Sequence, residues 1–282
     1  MRVILNFEHR CSMRCRWCYI PFGGAAPNRN VCLSVLSQLI ARGFDVITIG
    51  GGDPTSYPFW GDLTQKAKSH GLFVHLDTNA IGIRTDSETA SVLRQSVDLL
   101  GLPLDGPTAA VHDEIRDAEG HFDQLISKAQ WANKQGLQIK INTILTRKNA
   151  NSVSKMLRVI ERLQPVRWSL YQYWPLSLGI RAQPEHSITD DEFENSVATF
   201  PTNIGETIIE VNTRLSRRLT YPIVSHTGQV YLHSRENDYA FEVLGSVFEG
   251  DAITRALEIC SGDRAAAVTR YTRTTDANVT TR

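Results

Sequence analysis

Six short apolar runs, spaced by stretches of helical period, constrain residues 1–173 more than any other feature of the chain. The runs are Val3-Ile-Leu-Asn-Phe7, Asp45-Val-Ile-Thr-Ile49, Leu72-Phe-Val-His-Leu76, and the segments 97–102, 137–145 and 166–173. Between them, segments 34–42, 59–70, 88–95, 122–135 and 151–163 carry apolar residues at helical spacing, such as Val35, Leu36, Leu39 and Ile40 with Gly43 as a stop. Strands alternating with helices in this way imply right-handed crossovers and a parallel sheet. Six units are too few for a closed eight-stranded barrel, so the fold class is α/β, a partial (β/α)6 barrel of parallel strands. Polar clusters follow the carboxyl ends of these runs, where such sheets bind ligands. A 41% hydrophobic, 21% charged chain of 282 residues can bury the core this requires.

The first run ends in Cys11-Ser-Met-Arg-Cys15-Arg-Trp17-Cys18. Three thiolates within eight residues can converge on one soft-metal cluster. A four-iron cubane has four corners, so three cysteines leave one iron open to an amine and a carboxylate. A structural zinc would need a fourth ligand, from His9 or the more distant Cys32. Three cysteines cannot all pair as disulfides. Cys32 and Cys260 read as buried small hydrophobes.

This array, including Trp17 directly before the last cysteine, resembles the signature of the radical S-adenosylmethionine (SAM) superfamily. The resemblance implies a [4Fe-4S] cluster on Cys11, Cys15 and Cys18 whose open iron chelates S-adenosyl-L-methionine. It also implies reductive cleavage of SAM to a 5′-deoxyadenosyl radical that takes a hydrogen atom from substrate, and an electron donor such as flavodoxin or ferredoxin. Gly50-Gly51-Gly52-Asp53-Pro54 resembles the superfamily's strand-end motif that faces the SAM amine, with Asp53 where Glu is usual. Asp105-Gly-Pro followed by His112-Asp-x-x-Arg116 resembles another, in which Arg116 would grip a SAM carboxylate and Asp105 would either share that work or orient the loop. Asn79, at the end of the third run, can donate and accept toward a ribose or substrate.

Strand alternation puts Lys140 and Asn142 on one face of the fifth strand, and Arg167, Ser169, Tyr171 and Tyr173 on one face of the sixth. A lysine on an inner sheet face needs compensation, which an anionic or hydrogen-bonding substrate would supply. The segments Lys140-Ile-Asn142-Thr-Ile-Leu, Pro165-Val-Arg167-Trp168 and Ile188-Thr-Asp-Asp-Glu-Phe193 resemble the viperin-type branch, the radical SAM nucleotide dehydratases. That narrower resemblance implies that Lys140, Asn142 and Arg167 touch a nucleotide, with Tyr171 on the same wall. Two of the branch's lysines are replaced, by Ser169 and by Val46. Without that neutralising charge the substrate is expected to be a less charged nucleotide or a nucleoside-like small molecule.

After Pro175 the rhythm breaks. Thr189 and Glu192 are spaced as a capping box, short β-like runs follow at 207–211, 221–224 and 229–232, the last two as a hairpin, and a short helix ends near Ile259. The expected division is 1–175 radical SAM partial barrel, 176–260 a C-terminal α+β extension covering it, and 261–282 a polar tail. Val224-Ser-His-Thr-Gly-Gln-Val-Tyr231 and 244–250 also resemble peptide-modifying radical SAM maturases, but with Cys260 as the single cysteine there, no auxiliary cluster is expected. His226 and His233 read as surface histidines. A zero formal net charge gives no electrostatic reason to expect nucleic acid or an acidic membrane as partner. Arg2 leads straight into the first strand and no run approaches the roughly 18 apolar residues of a membrane helix, so a cytoplasmic protein without signal peptide is expected. Three functions compete: radical chemistry on a nucleotide-like small molecule, the same chemistry on a peptide, and a non-catalytic zinc-binding module.

Overall fold

The structure is a computed structural model and describes residues 1–260. The tail expected at 261–282 lies outside the described residues. In chain order, β1 (Arg2–Phe7), α1 (Arg29–Ala41), β2 (Val46–Gly51), α2 (Trp60–Ser69), β3 (Phe73–Asp77), α3 (Ser87–Ser96) and β4 (Leu99–Pro103) alternate as expected. Two helices, α4 (Ala109–Arg116) and α5 (His121–Lys134), precede β5 (Ile139–Leu145), and α6 (Leu157–Leu163) precedes β6 (Arg167–Gln172). The remainder holds α7 (Gln183–His186), α8 (Asp190–Val197), β7 (Asn203–Ile204), β8 (Thr207–Asn212), α9 (Arg214–Arg217), β9 (Ile223–Ser225), β10 (Gln229–His233), β11 (Phe241–Ser246) and α10 (Ala252–Ile259).

All described strands join one sheet in the order β11-β10-β9-β1-β2-β3-β4-β5-β6-β8-β7. The six expected strands lie side by side and parallel, the partial barrel that the alternation requires. Residues after 175 extend the same sheet at both edges, β9 parallel to β1 and β8 parallel to β6. The hairpin expected after β9 is present, with β10 antiparallel to both β9 and β11. Beyond reach of the sequence pattern was β11, whose Phe241-Glu-Val-Leu-Gly-Ser246 has no clean alternation.

Local chemistry explains where the elements depart from the sequence pattern. Helix α1 begins at Arg29 rather than residue 34 because Asn28 caps it, its side-chain oxygen accepting from the amides of Asn30 and Val31 at 2.9 and 3.2 Å. The helix expected across 151–163 is split into a 3₁₀ turn, Ala150–Met156, and α6. Val153 and Met156 eclipse at the three-residue 3₁₀ spacing and are both buried, so the tighter turn buries apolar surface that an α-turn would splay. The capping box at Thr189 and Glu192 forms as read. Between sheet and helices the core is continuous: Val3, Leu5 and Phe7 of β1 meet Cys32, Leu36 and Leu39 of α1. Each such fully buried large aliphatic side chain contributes about 1.5–3 kcal/mol.

Candidate active site

The loop after β1 presents Cys11, Cys15 and Cys18, all unpaired and partly buried, at the carboxyl end of the parallel strands. A tight turn, Cys18 amide to Cys15 carbonyl at 3.1 Å, folds the array on itself. Gly52 allows the loop to lie against β2: its amide donates to the Phe7 carbonyl at 2.7 Å, and a Cβ there would come within 2.5 Å of the Arg10 carbonyl oxygen. Burial pushes the Cys15 thiol up to about 11 and the Cys18 thiol up to about 12, against the favourable field of Arg116. Three such thiols give up protons when metal binds, because the thiolate is the ligand.

The donor set fits a cluster with SAM. Asn79 donates from Nδ2 to Cys11 Sγ and to Ser12 Oγ, both at 3.2 Å, while its Oδ1 accepts from the Ile81 amide at 2.9 Å, so it serves its own turn and also reaches the cysteine loop. Asp53 is buried, and one of its oxygens accepts from the Thr55 amide, Thr55 Oγ1 and Thr78 Oγ1 at 3.1, 2.8 and 2.7 Å. Its other oxygen, Oδ2, is buried without a hydrogen-bond partner among the described residues, an acceptor suited to an ammonium group. Burial pushes the Asp53 carboxyl up, and the two threonines oppose that shift. Cys32, one of the two residues that could complete a zinc site, is packed in the core with its Sγ 3.7 Å from the His226 carbonyl oxygen.

Arg116 lies beneath the cysteines, but its guanidinium is already engaged. Its Nε is 2.7 Å from Asp105 Oδ2, and its Cζ sits 5.2 Å over the Trp17 ring. Trp17 in turn donates from Nε1 to the Ile115 carbonyl at 2.9 Å, tying the cysteine loop to α4. Asp105 also receives the Ile144 amide at 2.8 Å, so its structural role as a loop organiser is plain.

From the same loop a two-histidine relay leads back to Asn79. The Asp105 amide donates to His112 Nδ1 at 3.0 Å, which leaves the proton of neutral His112 on Nε2, 2.8 Å from His121 Nδ1. His121 then donates from Nε2 to the Asn79 carbonyl at 2.9 Å. Helix α4 makes this possible by placing His112 and Arg116 one turn apart on its buried face.

These buried histidines make stability depend on pH. Burial, helped by Arg116 and His121, holds His112 down to about 2, and burial with Arg217 and Arg218 holds His233 down to about 3. In the unfolded chain both titrate near ~6.5. The unfolded state therefore binds protons that the folded state refuses, so this stabilisation is complete above ~6.5 and falls as pH drops below it. At about 1.4 kcal/mol per pH unit and group, the pair costs about 4 kcal/mol between pH 6.5 and pH 5. Urea midpoints at pH 7 and pH 5 should show at least that loss, because burial holds His75, His121 and His186 down as well, and His233→Phe should remove about 2 kcal/mol of it. A flat profile would contradict the assignment. The same burial corrects the sequence reading: His226 is 1% and His233 7% exposed, with His233 stacked 4.3 Å from Trp174.

Further inside the barrel the structure sorts the remaining predicted residues by depth. Registry places Lys140 beside Arg167, then Asn142 beside Ser169 and Glu210, then Ile144 beside Tyr171 and Asn212. Lys140 and Arg167 thus occupy the amino-terminal part of their strands, away from the cysteines, and Arg167 also lines a groove of about 940 Å³ at that end. The sequence reading missed their partner. Glu210 Oε1 is 2.9 Å from Arg167 Nη1, its Oε2 is 3.8 Å from Lys140 Nζ, and Ser169 Oγ donates to the same carboxylate. The available signal was a lone glutamate inside the apolar run Thr207-Ile-Ile-Glu210-Val. Lys140 Nζ also donates to Tyr171 Oη at 3.0 Å.

One layer up, Asn142 donates from Nδ2 to Asp77 Oδ1 at 2.9 Å, and His75 Nε2 is 3.0 Å from the same oxygen. Gly101 makes room for that pair, since a Cβ there would lie 1.9 Å from Asp77 Oδ1. Burial alone would raise the Asp77 carboxyl, but His75, Lys140 and Arg2 outweigh it and hold it well below the usual range. Between this layer and the cysteine loop a cavity of about 90 Å³ is lined by Trp17, Tyr19, Trp174, Arg217, Tyr221 and His233 among others. Arg217, which no sequence pattern marked, donates to the carbonyls of Gln172 and Thr213 and packs 5.5 and 5.4 Å over the Tyr171 and Trp174 rings.

A parallel partial barrel with three cysteines at its carboxyl-end mouth and a polar interior below them defines an enzyme of the cluster-and-cofactor kind. Residues 5–160 match the radical SAM superfamily, and the chain belongs to it. An S-adenosylmethionine-dependent nucleotide dehydratase of Flammeovirga pacifica is 26% identical over 258 residues, covering 83% of this chain and 84% of that protein. The PqqA peptide cyclase of Rhizobium meliloti (strain 1021) is 23% identical over 171 residues, covering 59% of this chain and 45% of that one. Among solved structures, Streptococcus suis SuiB bound to S-adenosylmethionine superposes with a TM-score of 0.69 at 16% identity, covering 92% of this chain and 67% of SuiB. No described helix is long and apolar enough to cross a membrane.

Proposed function

We propose that this radical SAM enzyme carries one [4Fe-4S] cluster on Cys11, Cys15 and Cys18 and acts on a nucleotide-like small molecule held in the barrel below. Bound cluster and SAM would supply a 5′-deoxyadenosyl radical for hydrogen-atom abstraction, with dehydration or rearrangement of the substrate to follow. The chain's own residues bind and orient. Asp53 Oδ2 offers an unpartnered acceptor for the SAM amine, Asn79 holds the Cys11 edge, and Arg116 with Trp17 supports the loop from below. Gly51 and Gly52 let the backbone approach the cofactor. In this reading residues 176–260 complete the chamber wall through Glu210 and Arg217, and a flavodoxin or ferredoxin delivers the electron.

What supports the substrate reading is the register of β5 against β6, which sets Lys140 beside Arg167 and Asn142 beside Ser169, with Lys140 Nζ reaching Tyr171 Oη at 3.0 Å. A nucleoside-sized ligand needs a pocket of roughly 300 Å³ or more. The cavity of about 90 Å³, lined by Tyr19, Arg217 and Tyr221 among others, would have to enlarge to admit one.

The peptide alternative has in its favour only the shared fold and the partial matches to peptide-modifying relatives. Labelled substrates separate the two readings. With anaerobically reconstituted enzyme, deuterium should pass from ribose-deuterated nucleosides or nucleotides into 5′-deoxyadenosine. Transfer from deuterated peptides alone would overturn the small-molecule reading, and a preparation holding one zinc without iron or sulfide would restore the zinc-module alternative.

A further inference from the structure

The charges inside the barrel set a limit on the substrate, and Glu210 imposes it. Resting on the nucleotide-like reading above, we infer that Glu210 is a built-in counter-anion that makes the chamber select an uncharged, hydrogen-bond-donating substrate group and reject phosphate.

Two cations, Lys140 and Arg167, are the groups that an anionic substrate would seek there. Both are deep, with side-chain exposures of 1% and 15%, and both already face the carboxylate of Glu210, itself 10% exposed. Ser169 Oγ donates to that carboxylate as well, so its oxygens are held from three sides. A phosphate entering this layer would have to displace a desolvated carboxylate or sit beside it. The first leaves a buried charge unpaired and the second places like charges together, and both are unfavourable in a low-dielectric interior.

The other charges of the interior are similarly spoken for. Asp77 is matched by His75 and by the Asn142 amide. Arg2 donates to Thr48 Oγ1 at 3.1 Å and lies 4.3 Å over the Tyr221 ring. Arg217 is taken by two carbonyls and two aromatic rings. Glu210 thus serves both Lys140 and Arg167, while Asp77 is engaged by His75 and Asn142.

A second observation shows what the chamber lacks. Because the Asn142 Nδ2 must face the Asp77 carboxylate, its Oδ1 is the atom left over, buried and without a hydrogen-bond partner among the described residues. An orphaned acceptor calls for a donor. A hydroxyl or amine of the substrate supplies one, whereas a fully ionised phosphate cannot.

The test uses the reconstituted holoenzyme, with inorganic tripolyphosphate as a charge probe in calorimetry and matched nucleosides and nucleoside 5′-triphosphates in SAM-cleavage assays. Glu210→Gln keeps the shape and one acceptor oxygen but removes the charge, and Glu210→Asp keeps the charge. Tripolyphosphate should bind E210Q at least about tenfold more tightly than the wild type or E210D. Wild-type SAM cleavage should be stimulated at least about tenfold more by a nucleoside than by its triphosphate, a preference that E210Q narrows or reverses. Equal tripolyphosphate binding by wild type and E210Q overturns the inference, as does a wild-type enzyme that prefers triphosphates, which remains decisive if E210Q fails to fold. If neither nucleosides nor triphosphates stimulate cleavage, the nucleotide reading falls, while the tripolyphosphate comparison still decides the role of Glu210.

Discussion

Replacing Cys15 by alanine should abolish reductive SAM cleavage, with 5′-deoxyadenosine formation falling more than about hundredfold and the broad visible absorbance of the iron–sulfur centre lost. A soft-metal cluster held by three thiolates has no spare donor to substitute for a missing one. Among the described residues the remaining cysteines cannot help. Cys32 is fully buried on the inner face of α1 and Cys260 lies 6% exposed at the end of α10. Cys260→Ala is therefore the control: iron and sulfide content should stay at the wild-type value. A Cys15→Ala protein that keeps full cleavage activity would refute the cluster assignment and everything built on it.

The largest effect on stability should come from Asp105→Ala. Asp105 is fully buried and its Oδ2 stands 2.7 Å from Arg116 Nε. Removing one partner of a buried ion pair leaves an uncompensated charge, which costs about 3–5 kcal/mol. Here the substitution also strips the Ile144 amide of its acceptor at 2.8 Å, which argues for the upper end of that range. For a chain of this size the loss corresponds to a fall in Tm of about 10 °C. Thermal unfolding of the apo-protein measures it without relying on cluster content. Arg116→Met in the Asp105→Ala background should recover part of the loss, because it removes the orphaned cation while keeping an apolar body under Trp17. If the single variant melts like the wild type, the pair is not the structural hub described above.

The two experiments bear on different levels of one construction. Cysteine chemistry resides in the loop after β1, but the loop's position depends on groups far along the chain. Trp17 is tied to α4, Arg10 rests on Gly52, and Asn79 is steadied through His121 and His112 by Asp105. The buried charge at Asp105 thus connects fold stability to the cysteine loop through Arg116 and Trp17, and reconstitution yields of the Asp105 variant report on that connection.

Much of this was legible in the residues themselves, because it depends on short-range order. Thiol spacing, the Gly50-Gly-Gly-Asp53 turn, the capping box at Thr189 and the alternation of strands with helices are set by covalent reach and backbone period over a few residues. They determined the superfamily, the parallel sheet and the cysteine mouth. Other features were settled by contacts between residues remote in sequence. Lys140 and Arg167 read as cations awaiting an anionic or hydrogen-bonding substrate, and β8, lying beside β6, sets Glu210, 43 positions beyond Arg167, against them. Arg116 read as a SAM ligand, and the packing of α4 adds an ion pair between its Nε and Asp105. His233 read as a surface residue until β10 covered it with Trp174. In each case periodicity can say which face a side chain occupies. It cannot say what stands opposite, and for a buried charge the opposing group decides whether that charge is a binding site or half of an ion pair.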